Sequence, residues 1–398
     1  MERLTRSAVL MTAAVLGMAG SAWAQPVIAN VVVTQNSRRL VDVKYDLVGE
    51  EAIVTMSVET NGIALPENVV TLVSGDVAVK VQPGTDKHIF WDMRQELPEC
   101  KLTNARVKVK AWSTNVPPDV LVVDLSSGTA TNVYPVKYYT SVSALPLGGL
   151  TNVLYKTDAL VMRKVPGGVF NMGYNTDAAA AAVAVTLTKP FYVGLFEVTQ
   201  GQWSKVMGAW PYSATNSVCP ADNVSYNDIR ENPNNSDDAA VNWPVTVGVT
   251  SNSFLGVLRS KSGVDTFDLP TEAQWEYACR AGTATDFNNN GSSSNDLSLV
   301  GWWVNNSGSV THEVGLKLPN AWGLYDMHGN VWEWCLDYPL AALVGATDPV
   351  GAATGSYREG RGASSWDVAA NCTSPRRDET VQYRRRYDVG FRLIRNLP

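Results

Sequence analysis

The sequence predicts an all-β sandwich followed by a loop-rich α+β domain. Three observations carry that expectation: short alternating apolar runs fill residues 26–114, capped helical segments are confined to the second half, and Gly, Asn and Trp become frequent in the loops joining them. At 398 residues the chain is too long for one ordinary core, and two folded parts is the count its change of character supports. With 45% hydrophobic and 18% charged residues it has the composition of a chain that packs rather than stays disordered. The formal net charge of −6 is spread without a basic or acidic block, which argues against nucleic acid or an anionic membrane as a partner.

Residues 1–24 place Arg3 and Arg6 before an apolar run from Ala8 to Ala19 and end in Ala22-Trp23-Ala24, the layout of a secretory signal peptide. A spanning helix needs roughly 20 apolar residues, more than this run offers, and no later stretch could cross a bilayer. Cleavage after Ala24 and an exported chain, periplasmic or extracellular, are expected. The five cysteines (Cys100, Cys219, Cys279, Cys335 and Cys372) are odd in number, so at least one thiol lacks a partner within the chain.

In residues 25–114 the runs VIANVVVTQ, RLVDVKYDL, AIVTMSVET, VAVKV, HIFWDM and ARVKVKAW alternate with turn-rich pieces, a spacing that suits a sandwich of immunoglobulin or fibronectin type. Nothing in them converges chemically, so a spacer role is expected. Residues 115–158, rich in Pro, Ser, Thr and Gly, read as linker and edge-strand material. Beyond them helices are expected over Thr199–Met207, over Ser251–Arg259 with Ser251 as N-cap, and from Thr271, where Thr-Glu-Ala-Gln forms a capping box and Gly282 supplies the stop. The segment DFNNNGSSSND would pass for disorder on composition. Trp302, Trp303, Trp322, Trp332, Trp334 and Trp366 punctuate these loops and are expected to pin them.

Asp326-Met-His-Gly-Asn-Val-Trp-Glu333 sets two carboxylates seven apart around a glycine. Hard oxygens on a bent backbone suit calcium, although the spacing is not that of an EF-hand and two surface carboxylates are the plainer alternative. The segments VPGGVFNMG, FEVTQGQW, LPTEAQWEYACRAGT, PNAWGLYDMHGNVWEWCLD, RGASSW and VGFRLI together resemble the formylglycine-generating, or sulfatase-modifying factor, family over residues 159–398. The resemblance implies a C-type-lectin-like fold with structural calcium. It implies one calcium site from the side chains of Asp326 and Glu333 with the carbonyls of Gly329 and Val331, and a disulfide between Cys279 and Cys372.

Active members of the family oxidise a sulfatase cysteine to formylglycine with oxygen and a copper ion held by two cysteines five apart. Soft thiolates suit Cu(I). Counting from Ser364, those positions fall here on Asp367 and Cys372, so the pair is missing. Copper is therefore not expected, and Cys372 is the one catalytic candidate. Three histidines (His88, His312, His328) lack zinc-site spacing, and no GxSxG or P-loop occurs. Tyr383-Arg384-Arg385-Arg386-Tyr387 offers guanidinium forks for an anion, or a solvated strand edge. The resulting expectation is a domain that recognises a protein, peptide or glycan, with Trp332, Ser364, Trp366, Asp367, Arg384 and Arg386 facing the ligand because the family's groove lies beside the RGAS turn. The alternative is a formylglycine-generating oxidase or another redox enzyme.

Overall fold

The computed structural model describes residues 25–398 apart from 37, 99–101, 103, 175–181, 211–215 and 232–247. Residues 1–24, expected to be a signal peptide, and Cys100 lie outside the described residues. The chain divides into two compact units, residues 1–120 with 137–151 and residues 121–136 with 152–398.

The first unit is a sandwich of two antiparallel sheets. One runs Val27–Gln35, Leu40–Val48, Gly84–Asp92, Val73–Gly75; in the other, Ala52–Thr60 is flanked by Ala105–Ser113, Ile63–Ala64 and Lys80–Val81. Alternation explains the core: Val41, Val43, Tyr45 and Leu47 point inward from one strand and meet Val54, Val58, Ile89 and Trp91. Five of the six expected strands are present, and of the run VAVKV only Lys80–Val81 is strand. The first, however, is an edge strand broken by an irregularity between Ala29 and Val32, and Val31, Val32 and Val33 are exposed.

The second unit is built on a sheet that runs Val120–Asp124, Ala159–Val165, Phe191–Gly194, Ile394–Asn396, Phe267–Asp268. Within the segment read as linker and edge-strand material, residues 120–124 are thus strand. Leu121, Val122 and Val123 are buried, as are Tyr155 and Lys156 on the helical turn Leu154–Thr157, because this β-branched segment finds a sheet edge to cover.

Helix Gln200–Met207 lies where the sequence placed it; the structure adds the Thr199/Gln202 capping box that opens it and Gly208 that closes it. Helix Phe254–Ser262 starts two residues later than expected, with Ser253 rather than Ser251 accepting from the backbone. Helix Glu272–Arg280 opens on the Thr271/Gln274 box and closes on Ala281 in the left-handed region, one residue before Gly282. The Asn/Gly/Ser segment is ordered: Phe287 is buried and a Ser293/Asp296 box starts the helix Ser294–Val300. Trp303, Trp332 and Trp334 are buried, whereas Trp366 stands out into solvent at 48% exposure.

Candidate functional site

The turn 326–333 bends through three left-handed residues, Asp326 (φ 55°), Gly329 (φ 75°) and Asn330 (φ 63°). Gly329 is obligatory, since a Cβ there would lie 1.8 Å from the Trp302 carbonyl oxygen. Gly329 N–H donates to Gly362 O (2.7 Å) and Asn330 N–H to Trp302 O (2.9 Å), which ties the turn to two neighbouring segments. The bend carries Asp326 and Glu333 into the interior, at 2% and 1% exposure, where they meet a third carboxylate, Glu197, at 0%.

Their partners are specific. Asn330 Nδ2 donates to Glu197 Oε2 (2.7 Å) and Val331 N–H to Glu197 Oε1 (3.2 Å). Gly315 N–H donates to Asp326 Oδ2 (2.6 Å). Buried Arg392 reaches Glu333 Oε1 through Nη2 (2.8 Å), and Trp275 Nε1 donates to Glu333 Oε2 (2.7 Å). Among the described residues, Asp326 Oδ1 is buried with no hydrogen-bond partner. Burial pushes the Asp326 carboxyl up to about 6. Burial first, then the charges of Asp326 and Glu333, hold Glu197 well above the usual carboxylate range.

Among the described residues no three Asp, Glu, His or Cys side chains converge to hold an ion by themselves. A cation here therefore needs backbone carbonyls beside the two carboxylates, the ligand set of Asp326, Glu333, Gly329 and Val331. The orphaned Asp326 Oδ1 fits that set, because an unpaired buried carboxylate oxygen is costly and calcium takes oxygen ligands. Glu333 is already engaged by two donor residues, yet a carboxylate has about four acceptor positions. The sequence reading missed Glu197 and Arg392, which sit inside the quoted FEVTQGQW and VGFRLI segments; charged residues embedded in apolar runs were the available signal.

The second cluster surrounds the RGAS turn. Asp367 Oδ2 accepts from Trp332 Nε1 (2.9 Å), Ser364 N–H (3.0 Å) and Ser364 Oγ (2.7 Å), while Oδ1 accepts from Asn371 Nδ2 (2.9 Å). Trp332 and Ser364 are buried, and with half-buried Asp367 they brace the turn. Arg386 is likewise committed, to Asp388 (2.7 Å) and Asp378 (2.7 Å). Of the six residues expected at a ligand face, Trp366 and Arg384 are exposed. Trp366 packs edge-on against exposed Tyr387 with ring centroids 5.3 Å apart.

The expected disulfide is absent: Cys219, Cys279, Cys335 and Cys372 are all free and buried. Cys279 Sγ lies 3.6 Å from Met327 O and Cys372 Sγ 3.7 Å from Val368 O, so each thiol has a separate local acceptor. His328 lies between the two segments, its Nδ1 donating to Cys372 O (2.7 Å) and its Nε2 accepting from Asn288 N–H (3.1 Å). Burial pushes the Cys372 thiol far up and the Cys279 thiol up to about 12, the opposite of what a reactive thiolate needs.

Fold and site together define a loop-rich α+β domain of the formylglycine-generating type. The profile of the sulfatase-modifying factor enzyme 1-like domain matches residues 154–397, and the chain belongs to that family. The match begins within the segment expected to be linker. Over 236 residues the chain is 30% identical to the chaperone protein LppX of Paenibacillus barcinonensis, covering 49% of this chain and 76% of that one. Over 253 residues it is 26% identical to the formylglycine-generating enzyme of Thermomonospora curvata, covering 51% and 82%. The solved Treponema denticola variable protein 1 is 28% identical, covers 60% of this chain and 96% of its own, and superposes with a TM-score of 0.48. No helix among the described residues is long and apolar enough to cross a membrane.

Proposed function

We propose that this is an exported recognition protein whose formylglycine-generating-type domain binds a protein, peptide or glycan and lacks the copper oxidase activity. The observation that carries the reading is Asp367: the carboxylate at the first copper position is held by four donated hydrogen bonds, and the remaining thiol, Cys372, is buried and strongly protonated. One thiol cannot make the thiolate pair that Cu(I) requires. Exposed Trp366 and Tyr387, with Arg384 beside them in sequence, supply the kind of surface on which partners stack and anionic groups pair. The likeness to a protein named as a chaperone supports a partner that is itself a protein. Calcium is structural in this reading, held at the 326–333 turn.

The test uses the full-length purified protein with copper, oxygen and a Cys-X-Pro-X-Arg peptide. No aldehyde is expected; aldehyde formation abolished by Cys372→Ala establishes the oxidase instead. In parallel, glycan and peptide arrays are expected to give binding that Trp366→Ala reduces at least tenfold. Binding unaffected by that change removes the assigned face.

A further inference from the structure

We propose that Glu197 is an outer carboxylate of the cation site, contributing charge rather than a coordinating oxygen. The inference rests on the calcium reading above and goes beyond the ligand set implied by the family motif.

Glu197 comes from a segment far in sequence from the 326–333 turn, yet it is fully buried against it. Both of its oxygens receive donors from the turn itself, Val331 N–H at 3.2 Å and Asn330 Nδ2 at 2.7 Å. They are therefore oriented toward backbone and amide donors, and Glu197 is not one of three side chains able to share an ion. Its charge remains. Glu197, Asp326 and Glu333 are three buried carboxylates facing one buried guanidinium, Arg392, which pairs with Glu333. Nearby Lys156 is paired with Glu313 at 2.8 Å, and half-buried Lys317 donates to Ser298 O at 2.8 Å. The acids thus exceed the cations at the centre of the cluster. The independent sign of a missing partner is Asp326 Oδ1, buried and without a hydrogen bond among the described residues.

A divalent cation beside Asp326 Oδ1 would satisfy that oxygen and offset the excess charge together. In a water-poor interior, a carboxylate acts on such an ion without touching it. The hydrogen bond to Val331 N–H also fixes the backbone at the residue whose own carbonyl, one peptide further on, belongs to the ligand set.

Calcium titration calorimetry and thermal melts with calcium or chelator test this on the full chain. Glu197→Gln is expected to weaken calcium binding at least tenfold and to shrink the difference between the two melting temperatures by more than half. A variant whose two melting temperatures fall equally, with calcium affinity unchanged, overturns the proposal and leaves Glu197 a structural residue. Should Glu197→Gln not fold, Glu197→Asp decides: it keeps the charge and disturbs the contacts, so affinity within about threefold of wild type is expected despite a lower melting temperature in chelator. A tenfold loss in Glu197→Asp overturns the role of charge. Wild-type protein that gives no calcium heat and a chelator-insensitive melt removes the calcium reading itself, a result distinct from the others.

Discussion

Asp367 shows how much one residue's chemistry decides. Asp367→Ala removes the acceptor for the Trp332 indole and both Ser364 donors, so a loss of about 2 to 3 kcal/mol in urea unfolding is expected for donors left buried without partners. A change below about 0.5 kcal/mol contradicts its bracing role. Asp337 makes a different point. It is buried, accepts from Glu272 N–H (2.7 Å), and burial with the neighbouring Glu272 charge pushes its carboxyl up to about 8. The folded state therefore holds a proton that the unfolded chain has released above about 4. The stabilisation is complete below that pH and drains away as pH rises through about 8, by at most about 1.4 kcal/mol per unit. Asp337→Asn keeps an acceptor for Glu272 N–H and removes this dependence. Urea midpoints at pH 5 and pH 8 are expected to diverge for the wild type and draw together for the variant; parallel shifts disprove it. Neither Asp337 nor the Asp367 brace was legible in the sequence, because the partners of a carboxylate come from distant segments.

At the scale of elements, local chemistry is decisive wherever the chain can satisfy itself. Thr271→Ala breaks the reciprocal Thr271/Gln274 cap and is expected to cost about 1 kcal/mol in denaturant unfolding, a value a neighbouring surface substitution will not reproduce. Such caps lie within three residues, which is why the first and third helices were legible. The offset of the second arose because Ser251 and Ser253 are equivalent on paper, and only Ser253 meets Gly256 N–H. Gly329→Ala is expected to yield insoluble or unfolded protein, measured by soluble yield and circular dichroism, since the Cβ would collide with the Trp302 carbonyl. Soluble, wild-type-like protein from that variant refutes the close approach.

For the whole molecule, the calcium reading gives a linkage prediction. Calcium at 100 times its dissociation constant is expected to stabilise the fold by about 2.7 kcal/mol, raising the melting temperature by several degrees over chelated protein. Asp326→Asn, which retains an acceptor for Gly315 N–H, is expected to abolish the difference. Glu333→Ala is the poorer probe, because it strands Arg392 without its buried partner. An unchanged difference in Asp326→Asn removes the turn from the site.

By itself the sequence determined most of the sandwich strands, the capped helices and the family, because alternation, caps and motif spacing are properties of neighbouring residues. Tertiary structure decided the rest. It seated Val120–Asp124 in a sheet, kept Cys279 and Cys372 as separate thiols, buried Trp332 and Ser364 behind Asp367, and gathered Glu197, Asp326, Glu333 and Arg392 into one interior. Burial and charge balance depend on which distant segments meet, and in a water-poor interior those meetings set what each group can do.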